Sequence, residues 1–434
     1  MSWSKRDQSI LWHPYTQMKT ADAPQAVVRA KGCTLFTETG ETLLDGISSW
    51  WVNLHGHSHP EITRRVSEQL AILEHVLFAG FTHPPAIELA ERLLRTLPAN
   101  QTHVFYSDNG STSVEIALKM ALQFWTNHGV REKVRIVALE GGYHGDTFGA
   151  MSVSGRSAFT APFEPYLFPV EHIPAPLEGE EQRSIEALQK LLSTGTIAVF
   201  IFEPLVQGAG GMRFLSAEAL GLQVALCQRH EALTIADEVM TGFFRTGKFW
   251  ACDSLTEKPD LFCIAKGLSG GATPLAMTTC TDAIFEAFLS DERSKTLFHG
   301  HSFTANPIGC AAGLASLGLL ESAECQSRIQ VLSRSQKAFS HQIREEFPLL
   351  QNPRALGTLF ATEFPAKARG HLDPLGPKLY HYFLERGVLL RPLGNTVYLM
   401  PPYCVTDEEL ARFYDAIRSA ACQFGKDSRK GTAG

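Results

Sequence analysis

The chain has 434 residues, of which 44% are hydrophobic, 19% charged and 10% aromatic, proportions that exclude a disordered, fibrous or repetitive protein and leave room for a sizeable core and two domains. Its formal net charge is −6, with lysines and arginines scattered rather than blocked, which argues against a nucleic-acid surface or an anionic-membrane patch and points to a small ligand. The apolar run "IAVFIF", Ile197 to Phe202, stops at Glu203 and is too short to cross a bilayer, so no membrane partner is expected.

The start, "MSWSKRDQSILWHPYTQM", lacks an apolar core segment and a small-residue cleavage site, so no export is expected. Nine cysteines stand singly from Cys33 to Cys422 without a C-x-x-C pair, which favours reduced thiols in the cytoplasm. In "DGISSWWVNLHGHSHPEI", a strand from Ile47 to Leu54 would point Trp50 and Trp51 to opposite faces, so one indole would need work outside the core. His55, His57 and His59 invite a metal reading. They lie at period two beside glycine and proline with no matching distant ligand set, so a turn with a capping histidine is expected and a metal is not.

From "HVFYS" onward, short apolar strands alternate with helix-period segments: "SVEIALKMALQFW", "RIVAL", "IAVFIFEP", "SAEALGLQVALCQRH", "LTIADEV" and "LFCIAKG". This is the α/β pattern, and the continuous apolar strands indicate a mainly parallel sheet buried on both faces, with ligands at the strands' carboxyl ends. The first strand runs through Asp108, Asn109, Gly110 and Ser111 into a helix whose first N–H groups form a ready anion site. Taken alone, a strand-loop-helix turn with a Ser cap and Glu115 in the first helical turn is the simpler reading. "EGGYHGDTFGAMS" places Tyr143 among glycines, suited to stacking on a flat ring or to packing in a loop.

"LTIADEVMTGFFRTGK" sets Asp237 at a strand end with Val239 two residues on. There a carboxylate could face a ring nitrogen while Val239 packs beneath the ring, or Asp237 could be structural. Its "GFFRTGK" nearly matches a nucleotide phosphate loop, which makes an NTPase the rival class. But Phe249 stands where a magnesium-binding hydroxyl belongs, and no strand separates the acidic pair from the loop. Arg245 inside it either holds the loop by hydrogen bonds or touches substrate. "DLFCIAKGLSGG" ends its strand on Lys266, where burial would make a nucleophilic amine unless the side chain snorkels to solvent. A helix-start loop, a strand-end Asp and a strand-end Lys together match the phosphate, ring nitrogen and aldehyde of pyridoxal 5'-phosphate.

After Asn306-Pro307 a long helical stretch leaves the large domain, and "TLFATEF", "GVLLRPL" and "TVYLMPP" read as strands of a smaller α+β domain. The expected division is an N-terminal segment at 1–56 belonging to the small domain, a large cofactor-binding domain at 57–315, a C-terminal small domain at 316–424, and a disordered tail at 425–434.

With these motifs in place, the chain resembles the class III aminotransferases of the fold-type I pyridoxal-phosphate superfamily. "EPLVQGAGGM", "ADEVMTGFFRTGKFWA", "AKGLSGG" and "HGHSFTANP" resemble segments of that class in the expected order. "WHPYTQM", "DGISSWWVNLHGHSHP" and "RPLGNTVYLMPPY" resemble its biotin-pathway branch, which passes the amino group of S-adenosylmethionine to 8-amino-7-oxononanoate. The resemblance implies that Lys266 is the Schiff-base lysine, Asp237 the ring-nitrogen partner, Gly110 and Ser111 phosphate binders, and Tyr143 the stacking ring. It implies that Gly300, His301 and Ser302 reach the phosphate and substrate of a neighbouring subunit in a homodimer. Tyr15, Trp50 and Arg391 would line the substrate site, with Arg391 taking the keto-acid carboxylate and Trp51 left to the core. Some members of the branch carry Pro-Thr where this chain has His301-Ser302, a departure that bears on the amino donor. The activity implied is a two-stage, ping-pong transamination with Lys266 as general base and acid. Its alternatives are another class III ω-amino-acid aminotransferase, or the same reaction with lysine as donor.

Overall fold

The structure, a computed structural model, describes residues 1–366 and 372–425. The tail expected at 425–434 therefore lies outside the described residues except for Gly425. At its centre stands Ile197–Phe202, six apolar residues that are all buried, as a strand covered on both faces must be. It belongs to a seven-stranded sheet in the spatial order His103–Ser107, Ala276–Cys280, Leu261–Ile264, Leu233–Asp237, Ile197–Phe202, Arg135–Leu139, Glu171–Ile173. The last five of these run parallel to one another. Ala276–Cys280 is antiparallel to both strands it pairs with, so the sheet is mixed but mainly parallel. The carboxyl ends of His103–Ser107, Ile197–Phe202, Leu233–Asp237 and Leu261–Ile264 thereby share one edge, which carries Gly110, Glu203, Asp237 and Lys266.

The helical stretch after Asn306 is two helices, Pro307–Leu320 and Ala323–Glu346, bent by 70°. Asn306 caps the first by accepting from Gly309 N at 3.0 Å, and Ser322 caps the second by accepting from Cys325 N at 3.2 Å. No single helix among the described residues is long and apolar enough to cross a membrane. Three smaller sheets stand among the described residues, one of them the two-stranded pair Val206–Gln207 and Arg213–Phe214. Val27–Lys31, Thr34–Thr37 and Thr42–Asp45 join the C-terminal Val388–Leu389, while Gln351–Leu356, Leu359–Glu363 and Thr396–Leu399 pack on Ala323–Glu346. In "GVLLRPL" strand pairing covers only Val388–Leu389, and Arg391 follows in irregular backbone before Pro392.

The strand expected from Ile47 to Leu54 does not form. Ser48–Trp51 is a short kinked helical turn, with Ser48, Ser49 and Trp51 at φ of 52°, 60° and 70°. The cause is Asp45, whose fully buried carboxylate accepts from Ile47 N at 3.0 Å and Ser49 N at 2.6 Å and pairs with His57 Nε2 at 2.8 Å. Such local side chain to backbone bonds curl the chain before a ladder can extend. The two indoles nevertheless part company. Trp51 is 4% exposed and donates to the Tyr398 hydroxyl at 3.0 Å, whereas Trp50 is 41% exposed. The other two histidines of the segment also have structural partners: His55 Nε2 meets Ser316 Oγ at 3.1 Å, and His59 caps the helix Pro60–Ile72.

Candidate active site

Lys266 lies two residues beyond the strand Leu261–Ile264 and opens a short 3-10 turn at φ +30°, in the left-handed region that a non-glycine residue adopts at a cost. Its Nζ sits 5.2 Å from the centre of the Trp51 ring. Burial pushes its pKa below the ordinary lysine value, while the charges of Asp237 and Glu203 pull it partly back. The side chain therefore does not snorkel to solvent; it stays beside two carboxylates, with burial favouring its neutral amine and their charges favouring the ammonium.

Asp237 is 4% exposed, and both its oxygens are held: Oδ2 meets His144 Nδ1 at 2.7 Å, and Oδ1 accepts from Val239 N at 3.1 Å. Glu203 ends the neighbouring strand. It accepts from Tyr143 N at 2.9 Å and Gly208 N at 3.0 Å, and burial raises its pKa to about 7. Val239 packs against the start of the helix Gly110–Asn127: a Cβ on Gly110 would lie 2.8 Å from Val239 Cγ1, so only glycine lets the two segments approach this closely. The cap is Asn109 and not the serine expected, and Glu115 lies beyond the first turn, accepting from Gly149 N at 2.7 Å. Asn109 and Thr112 close a capping box, leaving Gly110 and Ser111 at the first two helical positions, whose N–H groups have no intrahelical acceptor.

From this base a chain of contacts reaches the remaining residues. Ser111 Oγ accepts from Asp146 N at 3.2 Å, and the Asp146 carboxylate accepts from the Tyr15 hydroxyl. The Tyr15 and Tyr143 hydroxyls meet at 3.2 Å. Burial raises the pKa of both phenols, that of Tyr15 to about 12, so both stay protonated donors. The Tyr15 ring centre is 5.6 Å from those of Trp50 and Phe159, and the Arg391 guanidinium stands 5.0 Å over Trp50. Lys266, Asp237, Val239, Gly110, Ser111, Tyr143, Tyr15, Trp50 and Arg391 thus form one connected set. Gly300, His301 and Ser302 stand apart from it. His301 accepts from Phe303 N at 3.2 Å and donates its own N–H to Thr304 Oγ1 at 3.1 Å, while Gly300 and Ser302 face solvent.

Arg245 proves to hold a loop. Its guanidinium is 1% exposed, donates from Nη1 to Pro401 O at 2.9 Å and lies 5.0 Å over the Tyr403 ring, fastening "GFFRTGK" to the segment after Thr396–Leu399. Lys248 of the same stretch is exposed and donates to Asp253 O at 3.1 Å, so the stretch is a packed turn and not a phosphate loop. Sequence reasoning missed Glu203 and His144. Glu203 carried a usable signal, since it ends an apolar strand just as Asp237 does. His144 carried none, because its partner lies 93 residues away.

A lysine amine released by burial, a fixed carboxylate on the same sheet edge, and two N–H groups at a helix start fit pyridoxal 5'-phosphate at its aldehyde, ring nitrogen and phosphate. Comparison with known proteins agrees in kind. The family model for "Aminotransferase class-III" matches residues 15–421. The adenosylmethionine-8-amino-7-oxononanoate aminotransferase of Synechococcus elongatus is 48% identical over 94% of this chain and 97% of its own. The enzyme of the same name from Geobacter sulfurreducens is 38% identical over 95% and 96%. Among solved structures, that from Methanocaldococcus jannaschii superposes with a TM-score of 0.90 at 33% identity, covering 98% of this chain and 99% of that one. An amine transaminase from an uncultivated Pseudomonas species, solved with the cofactor bound, gives 0.89 at 29% identity over 96% and 99%.

Proposed function

The chain belongs to the class III aminotransferases, and from that membership we propose that it passes the amino group of S-adenosylmethionine to the ketone of 8-amino-7-oxononanoate, giving 7,8-diaminononanoate for biotin synthesis. The observation that carries this reading is Arg391 standing over Trp50 within the set that contains Lys266. A fixed charge beside aromatic faces suits a long apolar chain that ends in a carboxylate. Relatives of this chain carry the name of that reaction at up to 48% identity. Another class III ω-amino-acid aminotransferase would share the cofactor residues and differ at this wall.

When bound, pyridoxal 5'-phosphate supplies an aldehyde that takes up amino groups and a protonated ring that draws off the electron pair released at the amine carbon. Gly110 and Ser111 would hold the phosphate through the helix start, with His301 and Ser302 of a neighbouring subunit assisting, and Tyr143 would offer its ring to the cofactor's. Asp237 keeps the ring nitrogen protonated, oriented in turn by His144. Lys266 would take the proton from the substrate carbon and give it up again, a task that needs its amine neutral in one step and charged in the next. Tyr15, Trp50 and Gly300 enclose the substrate, and Arg391 binds its carboxylate. A homodimer is the assembly this scheme requires, since Gly300 and Ser302 face solvent in the single chain. The compartment is the cytoplasm, in keeping with nine free cysteines.

Two outcomes test the donor and the acceptor. S-adenosylmethionine mixed with the resting holoenzyme should discharge its visible absorbance, because one aromatic wall serves both the apolar acceptor and a sulfonium cation, worth about 0.5 to 2 kcal/mol. Discharge by lysine and not by S-adenosylmethionine would overturn the donor and leave the aminotransferase standing. Arg391→Ala should lower kcat/KM for 8-amino-7-oxononanoate roughly ten- to hundredfold or more, since one charge-assisted hydrogen bond is worth about 1.5 to 3 kcal/mol. It should leave the absorbance of the resting enzyme unchanged. An equal loss with an acceptor lacking the carboxylate would remove this role from Arg391.

A further inference from the structure

Cys33 and Cys404 are separated by 371 positions in sequence, yet their Sγ atoms stand 3.9 Å apart. None of the residues assigned to transamination includes either thiol. We propose that they form a peroxide-reactive dithiol, with Cys404 the attacking sulfur and Cys33 the resolving one, which closes into a disulfide on exposure to hydrogen peroxide.

The placement is built by backbone. Gly32 and Gly56 both lie at positive φ, 57° and 84°, and a Cβ on Gly56 would come within 2.5 Å of Cys404 Sγ and 2.9 Å of Gly32 Cα. The missing side chain at Gly56 thus opens the space in which the second sulfur reaches the first. The backbones of Gly32 and His57 exchange two hydrogen bonds at 3.1 and 2.8 Å, fixing the floor of that space. The two cysteines differ as an attacking and a resolving thiol should. Cys404 is exposed, while Cys33 is 2% exposed. Their mutual hydrogen bond holds the Cys404 thiol below the ordinary range and, with burial, pushes Cys33 above it.

In the reaction the Cys404 thiolate attacks one peroxide oxygen, breaking the O–O bond and releasing the other oxygen as water. The resulting sulfenic acid condenses with the Cys33 thiol, forming the S–S bond and releasing a second water. Two thiols lose two electrons and two hydrogens while one peroxide becomes two waters. The sulfurs must close from 3.9 Å to about 2.0 Å, a movement that falls to Cys404, which is exposed between the buried Tyr403 and Val405.

The bond would tie the start of the Thr34–Thr37 strand to the segment after Tyr403. Both already grip the turn that carries Trp50: Asp45 N donates to Cys33 O at 2.7 Å, and Tyr403 N to Leu54 O at 2.7 Å. Oxidation is therefore felt at the acceptor wall, as a changed KM for the acceptor with the resting absorbance unaltered.

The test treats native holoenzyme with stoichiometric hydrogen peroxide, then counts free thiols, measures intact mass and maps peptides without reduction. The expected result is two of the nine thiols lost, a mass lower by two hydrogens, a peptide joining residues 33 and 404, and full reversal by a dithiol reductant. Cys33→Ser should instead leave Cys404 as a sulfenic acid that dimedone traps, and Cys404→Ser should leave Cys33 unoxidised. A bond between Cys404 and Cys325, overoxidation of wild-type Cys404 without a bond, or survival of both thiols would each overturn the proposal. So would an acceptor KM identical before and after complete closure, as regards its effect on the wall.

Discussion

Lys266→Ala should abolish turnover while leaving a folded protein that still takes up pyridoxal 5'-phosphate. Proton transfer by a positioned side chain is worth about 10² to 10⁴ in rate, and the alanine variant loses that contribution together with the amine that engages the cofactor's aldehyde. Folding should survive, because removing a buried amine relieves a desolvation cost and a left-handed backbone position takes alanine no worse than lysine. Borohydride reduction of the wild type should fix the cofactor's mass to the peptide that contains Lys266, and the variant should show no such adduct. The pH dependence has a definite sign. The proton acceptor is the neutral amine, so the rate of the first half-reaction falls as pH drops through the lysine's pKa. Since burial lowers that pKa, the acid limb should lie below the ordinary lysine value of about 10.4. A variant transaminating within tenfold of wild type, or an adduct on another lysine, would remove Lys266 from the chemistry.

The parts of this architecture that could be read in advance were those whose cause is local. Ile197–Phe202 announces a strand buried on both faces because all six of its side chains must leave water, and Asn109 to Ser111 announces a helix start because the cap is written in adjacent residues. Ala276–Cys280 was not foreseen. "AMTTC" has neither an apolar run nor an alternating pattern, and it is held as a strand by two antiparallel neighbours that flank it on both sides. The break between Leu320 and Ala323 was passed over for a similar reason: "LLESAECQ" contains no glycine or proline, and the bend is made by Ser322 capping a new helix.

At the site itself, the Trp50 and Trp51 separation followed from a strand that does not exist. Asp45, three residues ahead of the turn at Ser48–Trp51, collects Ile47 N, Ser49 N and His57 Nε2, and the resulting kink parts the indoles as a pleat would have done. Adjacent side chains diverge in either geometry, so the right separation emerged from the wrong element. The histidine beside Asp237 and the carboxylate beside Tyr143 depend on strand order, which brings segments 93 and 60 residues apart to one edge, and no short motif encodes that.

Asp237→Asn tests how much of the catalytic power rests on one fixed negative charge at that edge. An ion pair at about 4 Å and an effective dielectric of about 20 is worth on the order of 4 kcal/mol, and each 1.4 kcal/mol is tenfold in an equilibrium constant, so removing the charge should slow proton abstraction about 10²- to 10³-fold. Asparagine keeps the shape. Its carbonyl oxygen can still accept from Val239 N, and its amide can still face His144, whose ring can exchange donor for acceptor by changing tautomer. The variant should therefore unfold within a few degrees of wild type and retain cofactor through dialysis, which separates a lost charge from a lost fold. The same charge also stabilises the protonated form of Lys266, so the acid limb of the variant should shift to lower pH. His144→Gln provides the matching control, since it leaves the carboxylate in place but removes the ring that orients it. It should cost less than the loss of the charge itself and leave the Lys266 limb near its wild-type position. Turnover of Asp237→Asn within tenfold of wild type would mean that the ring nitrogen needs no partner here. A fall matched by His144→Gln in both size and pH profile would mean that the pair acts by packing and not through the charge on Asp237.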